Sequence, residues 1–268
     1  MRIAVVQLAY GDEEPFEARV DRVAGLVSGL TGHDLVVLPE LWAPTGFAYT
    51  RWDDQAQPLD GPWAQTMSEV ARSAGVVLHA GSFVERLPEP GEDGHVLANT
   101  SLLLGPDGST LGVYRKVHRF GFGAGEPALM EAGGEVVVVD LPLSGGGSVR
   151  AGLSTCYDLR FPELYRRQQE DGAELFVVPA AWPAARVGHW TLLGRARAVE
   201  NQALVVQANT GGTHAGTPMG GHSQVVAATG EVLAEAAHGD EAVLSVEVDL
   251  AATAEYRRTF PVLADRRL

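Results

Sequence analysis

The chain has 268 residues, of which 46% are hydrophobic and 20% are charged, and its formal net charge is -14. This length and composition predict one domain over residues 1–268, and no apolar run approaches the ~18 residues of a membrane span. The acidic balance argues against binding to nucleic acid or to an anionic membrane, because contacts with phosphates need clustered lysines and arginines. We therefore expect a small-molecule partner.

The amino-terminal part of the chain is predicted to alternate strands with amphipathic helices. A buried strand is predicted at 2–8, and the acidic residues after it favour a strand over a signal peptide, hence a cytoplasmic location. Apolar residues at helical spacing between 16 and 30 lead to a strand at 34–39, which completes a βαβ unit. A second helix is predicted at 62–73, with a proline near its first turn, and a strand follows at 76–85.

The remaining elements continue this alternation, which predicts an α/β fold. Strands are predicted at 100–104, 111–114, 135–140, 149–155, 175–178, 204–208, 223–227 and 243–248, and helices at 162–171 and 189–201. Loops are predicted where glycine and proline cluster, in LPEPGEDGH, GFGAGEP and LSGGGS.

One internal similarity suggests how these elements are organised. DLVVLPELW at 34–42 matches ELFVVPAAW at 174–182, and each follows a strand and a helix and precedes another such pair. The match predicts a pseudo-twofold fold of two α/β halves, with sheets packed face to face and helices outside. Chance similarity between two buried strands is the alternative. Glu40 of the first copy corresponds to Ala180 of the second, so the scaffold itself does not require a carboxylate there.

Three reactive side chains follow predicted strands, where ligands of α/β sheets gather. Glu40 follows VVLP, Lys116 follows LGVYR and Cys156 follows VRAGLST. Each alone has an ordinary explanation: a solvated or capping carboxylate, an exposed lysine and a small buried hydrophobe. Their common placement at strand ends favours a shared active site.

Cys156 is the one cysteine of the chain, which excludes an internal disulfide and fits a reducing compartment. On a sharp strand-to-helix turn its thiol would be presented as a nucleophile, beside backbone N–H groups that can hold an oxyanion. Nearby Lys116 and Arg160 are expected to favour the thiolate, whereas Asp158 opposes it.

The other candidates have complementary roles. Glu40, lodged between an apolar strand and Leu41-Trp42, is expected to lose hydration, which suits a general base near neutral pH. Lys116 would place a fixed positive charge opposite a tetrahedral oxyanion. Glu126, in GAGEPALM, lies in a glycine-rich loop where plain solvent exposure is the alternative.

No metal or cofactor motif accompanies these residues. The eight histidines show no metal-ligand spacing, and the glycine-rich loops lack the GxGxxG and GxxxxGK[ST] patterns. Ser154 is not in a GxSxG motif. We predict neither a metal nor a cofactor.

Together these stretches resemble the nitrilase superfamily of carbon-nitrogen hydrolases. The resemblance rests on VVLPELW, YRKVHRF, STCYDLRFPELYR and HWTLLGRARAVENQ, and extends from VVQL to GHSQVVAATGEVLAEA. It implies a four-layer αββα sandwich with internal pseudo-twofold symmetry, assembled as a homodimer or higher homo-oligomer. It also implies that Glu40, Lys116 and Cys156 form a catalytic triad and that Glu126 positions the base or the substrate.

The same resemblance implies a reaction and, less directly, a substrate. Cys156 would attack an amide and form a thioester, with the Tyr157 backbone N–H helping to hold the oxyanion, and would release acid and ammonia. The run PAAWPAARVGHW, with Trp182 and Arg186, looks most like the ω-amidase and 2-oxo-acid amide hydrolase branch. Arg186 is the candidate ligand for a substrate carboxylate, with an exposed loop arginine as the alternative.

Other functions stay open at this point. Amidases for deaminated glutathione, N-carbamoyl compounds or aliphatic amides share these features, as do true nitrilases. A catalytically idle ligand-binding protein is the alternative from a different class. A glutaminase that passes ammonia to a separate synthetase subunit is a further possibility.

Overall fold

The computed structural model describes residues 1–267 and has an α/β fold with two six-stranded sheets. The strands are β1 (Arg2–Gln7), β2 (Ala9–Gly11), β3 (Leu35–Val37), β4 (Val77–Arg86), β5 (Leu97–Leu104), β6 (Thr110–Arg115), β7 (Val138–Pro142), β8 (Ser148–Leu153), β9 (Leu175–Pro179), β10 (Leu204–Ala208), β11 (Gly211–His214), β12 (Thr217–Pro218), β13 (Gln224–Val226), β14 (Val232–Glu235) and β15 (Ala242–Glu247). The helices are α1 (Phe16–Ser28), α2 (Trp52–Gln55), α3 (Pro62–Ala74), α4 (Glu126–Leu129), α5 (Pro162–Glu170), α6 (Val187–Asn201) and α7 (Leu250–Thr259).

The two large sheets have matching topologies. Their strand orders are β15-β1-β3-β4-β5-β6 and β7-β8-β9-β10-β13-β14. In the first sheet β3 lies parallel to β1 and β4, and in the second β9 lies parallel to β8 and β10, while the outer strands are antiparallel. The repeat in the sequence therefore corresponds to two similar halves, as predicted.

The layers follow from the alternation of side chains along the strands. In β1, Ile3 and Val5 belong to a core cluster that also contains residues of the second sheet, such as Leu153 and Val177. The intervening Ala4 and Val6 pack in a separate cluster with residues of α1 and α3. Residues of α5 and α6 join the core of the second sheet. The order of layers is thus helix, sheet, sheet, helix.

Several boundaries differ from those predicted. The strand predicted at 135–140 is Val138–Pro142, because its ladder begins only where Val138 meets Gly152 of β8. Helix α6 begins at Val187 rather than at residue 189, since a 3₁₀ turn leads directly into it. The short strands β2, β11, β12 and β14 and helix α7 were not predicted.

Within residues 1–267, no helix is long and apolar enough to cross a membrane.

Candidate active site

The three predicted strand-end residues meet in one cleft where the two sheets adjoin. Glu40 follows β3 and Lys116 follows β6, both in the first sheet, whereas Cys156 follows β8 in the second. All three line a cleft of about 420 Å³, a volume that includes its solvent-filled mouth. They are only 3%, 2% and 7% exposed, so the reactive groups lie at the bottom of the cleft.

Cys156 lies on the sharp turn that the sequence predicts. Its φ is +49°, in the left-handed region that non-glycine residues rarely adopt, and it opens a 3₁₀ turn that precedes α5 at Pro162. The Thr155 N–H donates to the Asp158 carboxylate at 2.9 Å, and this cap helps hold the strained residue in place.

The turn is also fixed from outside. The hydroxyl of Tyr114 and the N–H of His118, on either side of Lys116, donate to Asp158 at 2.7 and 2.9 Å. From α6, the guanidinium of Arg197 donates to the Leu159 carbonyl at 2.8 Å, as expected for a structural helix near the site. The Asp158 carboxylate therefore couples the Cys156 turn to the segment that carries Lys116.

Glu40 is the centre of a buried hydrogen-bond network. The Lys116 ammonium donates to Glu40 Oε1 and to Glu126 Oε2, both at 2.7 Å. The N–H of Ala181, beyond β9, donates to Glu40 Oε2 at 2.8 Å. Glu126 is 3% exposed and also accepts a hydrogen bond from the N–H of Phe120. The alternative that Glu126 is a solvent-exposed loop residue therefore does not hold, and its carboxylate lies in the same network as Glu40.

Asn99 completes this network and was not predicted. Its amide donates to Glu40 Oε1 at 2.8 Å and to Glu126 Oε1 at 2.7 Å, and the residue is 2% exposed. The signal available in the sequence was a polar residue in the middle of an apolar strand, LANTSLLL.

The protonation states follow from burial and from this network. Burial, reinforced by the Glu40 carboxylate, raises the pKa of the Cys156 thiol well above its usual value. Burial opposes the charge of Lys116, but the Glu126 and Glu40 carboxylates prevail and raise its pKa. Burial also raises the pKa of Glu126. Lys116 does favour the thiolate, as expected, but desolvation and the Glu40 carboxylate outweigh its attraction, and the pKa of the thiol is raised.

Aromatic rings and two arginines form the upper walls of the cleft. The Arg160 guanidinium lies 4.7 Å from the centroid of the Trp182 ring and 5.8 Å from that of Tyr157. The Arg186 guanidinium lies 5.5 Å from the centroid of the Phe120 ring. Tyr157, Trp182 and Arg186 thus line the cleft, and Arg160, which was not among the predicted substrate contacts, lies over Trp182.

Neither arginine is neutralised by the protein. Among residues 1–267, no carboxylate forms an ion pair with Arg160 or Arg186. The guanidinium Nη1 of Arg160 lies 3.3 Å from His189 Nδ1. Two positive charges therefore face the cleft of a strongly acidic chain. Such a cleft suits a small substrate that carries a carboxylate.

Comparisons with known proteins agree with this geometry. The sequence model of the Carbon-nitrogen hydrolase family matches residues 2–258. The chain is 46% identical to a 2-oxoglutaramate amidase of Paenarthrobacter nicotinovorans, over 99% of this chain and 89% of that protein. It is 33% identical to human Omega-amidase NIT2, over 99% and 95%. The crystal structure of XC1258 from Xanthomonas campestris, a CN-hydrolase superfamily protein, matches with a TM-score of 0.87 and 31% identity, over 100% and 97%. The chain belongs to the carbon-nitrogen hydrolase family.

Proposed function

We propose that this chain is a thiol amidase that hydrolyses the terminal amide of a small carboxylated acid, the ω-amide of a 2-oxo or dicarboxylic acid, to acid and ammonia. The observation that carries the proposal is the cleft itself. A buried thiol, a carboxylate and an ammonium lie at its bottom, and two arginines without carboxylate partners lie above them.

The first half of the reaction is acylation of the thiol. Because the Cys156 thiol is neutral at rest, Glu40 takes its proton as the sulfur attacks the amide carbon. The C–S bond forms, and the resulting oxyanion is held by the Lys116 ammonium and the Tyr157 N–H. Glu40 then gives the proton to the leaving nitrogen, the C–N bond breaks and ammonia departs.

The second half is hydrolysis of the thioester. Glu40 removes a proton from water, the hydroxide adds to the carbonyl carbon, and the C–S bond breaks with the proton returning to sulfur. Glu126 positions Lys116 throughout, since it accepts a second hydrogen bond from the same ammonium.

Two observations support a carboxylated substrate. The relatives named 2-oxoglutaramate amidase and Omega-amidase NIT2 align over nearly the whole chain. The Arg160 and Arg186 guanidinium groups provide the donors that would bind the carboxylate at the far end of such an amide. Amidases acting on neutral aliphatic amides have no need of two unpaired cations in this position.

Ammonia release distinguishes the alternatives. We would compare 2-oxoglutaramate, succinamate, propionamide and propionitrile, using wild type beside Cys156→Ala. Release from the two carboxylated amides, lost in the variant and weak with propionamide, is the expected result. Preference for the nitrile would make the chain a nitrilase, and preference for propionamide an aliphatic amidase.

Absence of turnover would point to another class of protein. If no substrate is cleaved and Cys156 also fails to react with iodoacetamide over the whole pH range, the chain is a ligand-binding protein on this scaffold.

The cytoplasmic location and the assembly into a homodimer or higher homo-oligomer stay predictions, which cell fractionation and light scattering would check.

A further inference from the structure

The base of the proposed reaction lies in an unusual electrostatic environment. Glu40 and Glu126 are two carboxylates that share one cation, Lys116, and all three side chains are at most 4% exposed. Two like charges held this close oppose each other's ionisation. The N–H groups of Ala181 and Phe120 and the side-chain amide of Asn99 are the donors that stabilise the two charges, and a protonated Glu40 could not accept the thiol proton.

We propose that Asn99 is a positioning residue that keeps Glu40 and Glu126 ionised and correctly oriented. This inference rests on the proposed amidase function of the site. The one amide nitrogen of Asn99 donates to both carboxylates, at 2.8 and 2.7 Å. Hydrogen bonds to the charged form of a carboxyl favour that form.

A neutral donor is better suited to this position than a second cation. Because the Asn99 amide is uncharged, it adds no positive charge to the group of two carboxylates and one ammonium. A lysine or arginine there would form another ion pair with Glu40 and make it a weaker base. Asn99 thus orients the base without neutralising it.

The position of Asn99 is itself rigid. It lies within β5, where it opposes Val84 of β4, and the N–H of Lys116 donates to its carbonyl at 2.9 Å. The same residue therefore fixes the end of β6 through its backbone and both carboxylates through its side chain. Among the described residues it is not one that lines the cleft, so it acts through Glu40 and Glu126.

The test compares Asn99→Ala with the nearly isosteric Asn99→Asp, which keeps the shape but replaces the two-donor amide. Asn201→Ala is the matched control, because Asn201 is also a fully buried asparagine, on α6, that donates to a backbone carbonyl at 3.0 Å. The measurements are kcat, KM and the pH profile of kcat/KM for 2-oxoglutaramate, and the pH dependence of Cys156 alkylation by iodoacetamide, which needs no substrate.

The titratable groups around Glu40 determine how the profile is interpreted. They are Lys116, Glu126, Cys156 and the phenols of Tyr49 and Tyr10. Asn99→Ala alters none of them, so a displaced acid limb in that variant reports on the carboxyl groups that lost their donor. Asn99→Asp adds a third carboxyl beside Glu40 and Glu126, so its profile is interpreted only together with that of Asn99→Ala.

For both Asn99 variants we expect kcat to fall about 100-fold with little change in KM. The acid limb of kcat/KM should move upward by about one pH unit, because ionisation of the carboxyls is less favourable. Alkylation at neutral pH should slow, because less of the Glu40 base is available to take the proton of the neutral thiol. Asn201→Ala should keep the wild-type profile. Unchanged acid limbs with kcat within about twofold of wild type would overturn the proposal.

Two other outcomes are distinguishable. If both Asn99 variants fail to fold while Asn201→Ala folds, as judged by circular dichroism, Asn99 is a packing residue and the proposal is wrong. If wild type itself releases no ammonia from any amide, the proposed function fails, and the alkylation profiles alone then decide whether Asn99 controls the carboxyls.

Discussion

The backbone N–H of Ala181 donates to Glu40 Oε2 at 2.8 Å, although the two residues are 141 positions apart in the chain. They lie in the two copies of the repeat, Glu40 in the first and Ala181 one residue after its counterpart in the second. The second half has no carboxylate at this position, and its backbone helps orient the carboxylate of the first. The orientation of Glu40 therefore depends on how closely the two strand ends approach.

Gly46→Ala tests this dependence. A Cβ built at Gly46 would lie 2.6 Å from the Ala181 Cβ, so the two segments must move apart, and a shift of the segment beyond β9 would lengthen its hydrogen bond to Glu40. We expect kcat for ammonia release to fall about 10- to 100-fold with the fold retained. Gly25→Ala is the control, because nothing lies within 4 Å of the added methyl on α1. Equal activity of both variants would contradict this account.

The two unpaired arginines are expected to determine substrate preference. Replacing Arg160 or Arg186 by methionine removes a hydrogen bond to a charged group, which costs about 1.5–3 kcal/mol and corresponds to about 10- to 100-fold in kcat/KM. The loss should be seen with 2-oxoglutaramate, mainly in KM, and not with propionamide. Arg72→Met, at an exposed position of α3, is the control. Equal losses with both substrates would assign the arginines to structure instead.

The raised pKa of Cys156 predicts a thiol without resting thiolate. The difference in absorbance at 240 nm between wild type and Cys156→Ser should therefore show no thiolate at pH 7, and the signal should grow only at alkaline pH. Glu40→Gln should abolish turnover while leaving the sulfur accessible to alkylation at high pH. A thiolate that titrates below pH 7 would show that Lys116 outweighs burial.

Two buried histidines predict a loss of stability in mild acid. Burial lowers the pKa of His79 to about 4 and that of His214 to about 3, whereas both titrate near 6.5 when unfolded. Below pH 6.5 the unfolded chain takes up protons that the folded chain excludes, so stability falls as the pH falls toward 4. By pH 5 each histidine should reduce the free energy of unfolding by about 2 kcal/mol.

Urea unfolding at pH 7.5 and pH 5.0 measures this effect. His79→Gln and His214→Gln should each make the difference between the two pH values smaller. If wild type is equally stable at both, then protonated histidines are accommodated in the folded state.

The sequence was sufficient to place Glu40, Lys116 and Cys156 at strand ends, because a short apolar run stops just before each of them. It could not identify Asn99, since this residue lies just before the strand predicted at 100–104, and its partners Glu40 and Glu126 are distant in the chain. The stacking of Arg160 on Trp182 likewise depends on how the segment after β9 and the Cys156 turn pack together. The direction of the thiol pKa was missed for the same reason, because the depth of burial is a tertiary property.

The proposed nucleophile and its base lie on different sheets, and this arrangement affects how the enzyme comes into being during synthesis. Residues up to Lys116 can form most of the first sheet before the segment with Cys156 has left the ribosome. At that stage Glu40 and Lys116 have no thiol beside them. Activity can therefore appear only when the second sheet docks, so that catalytic competence marks the end of folding rather than a step along the way.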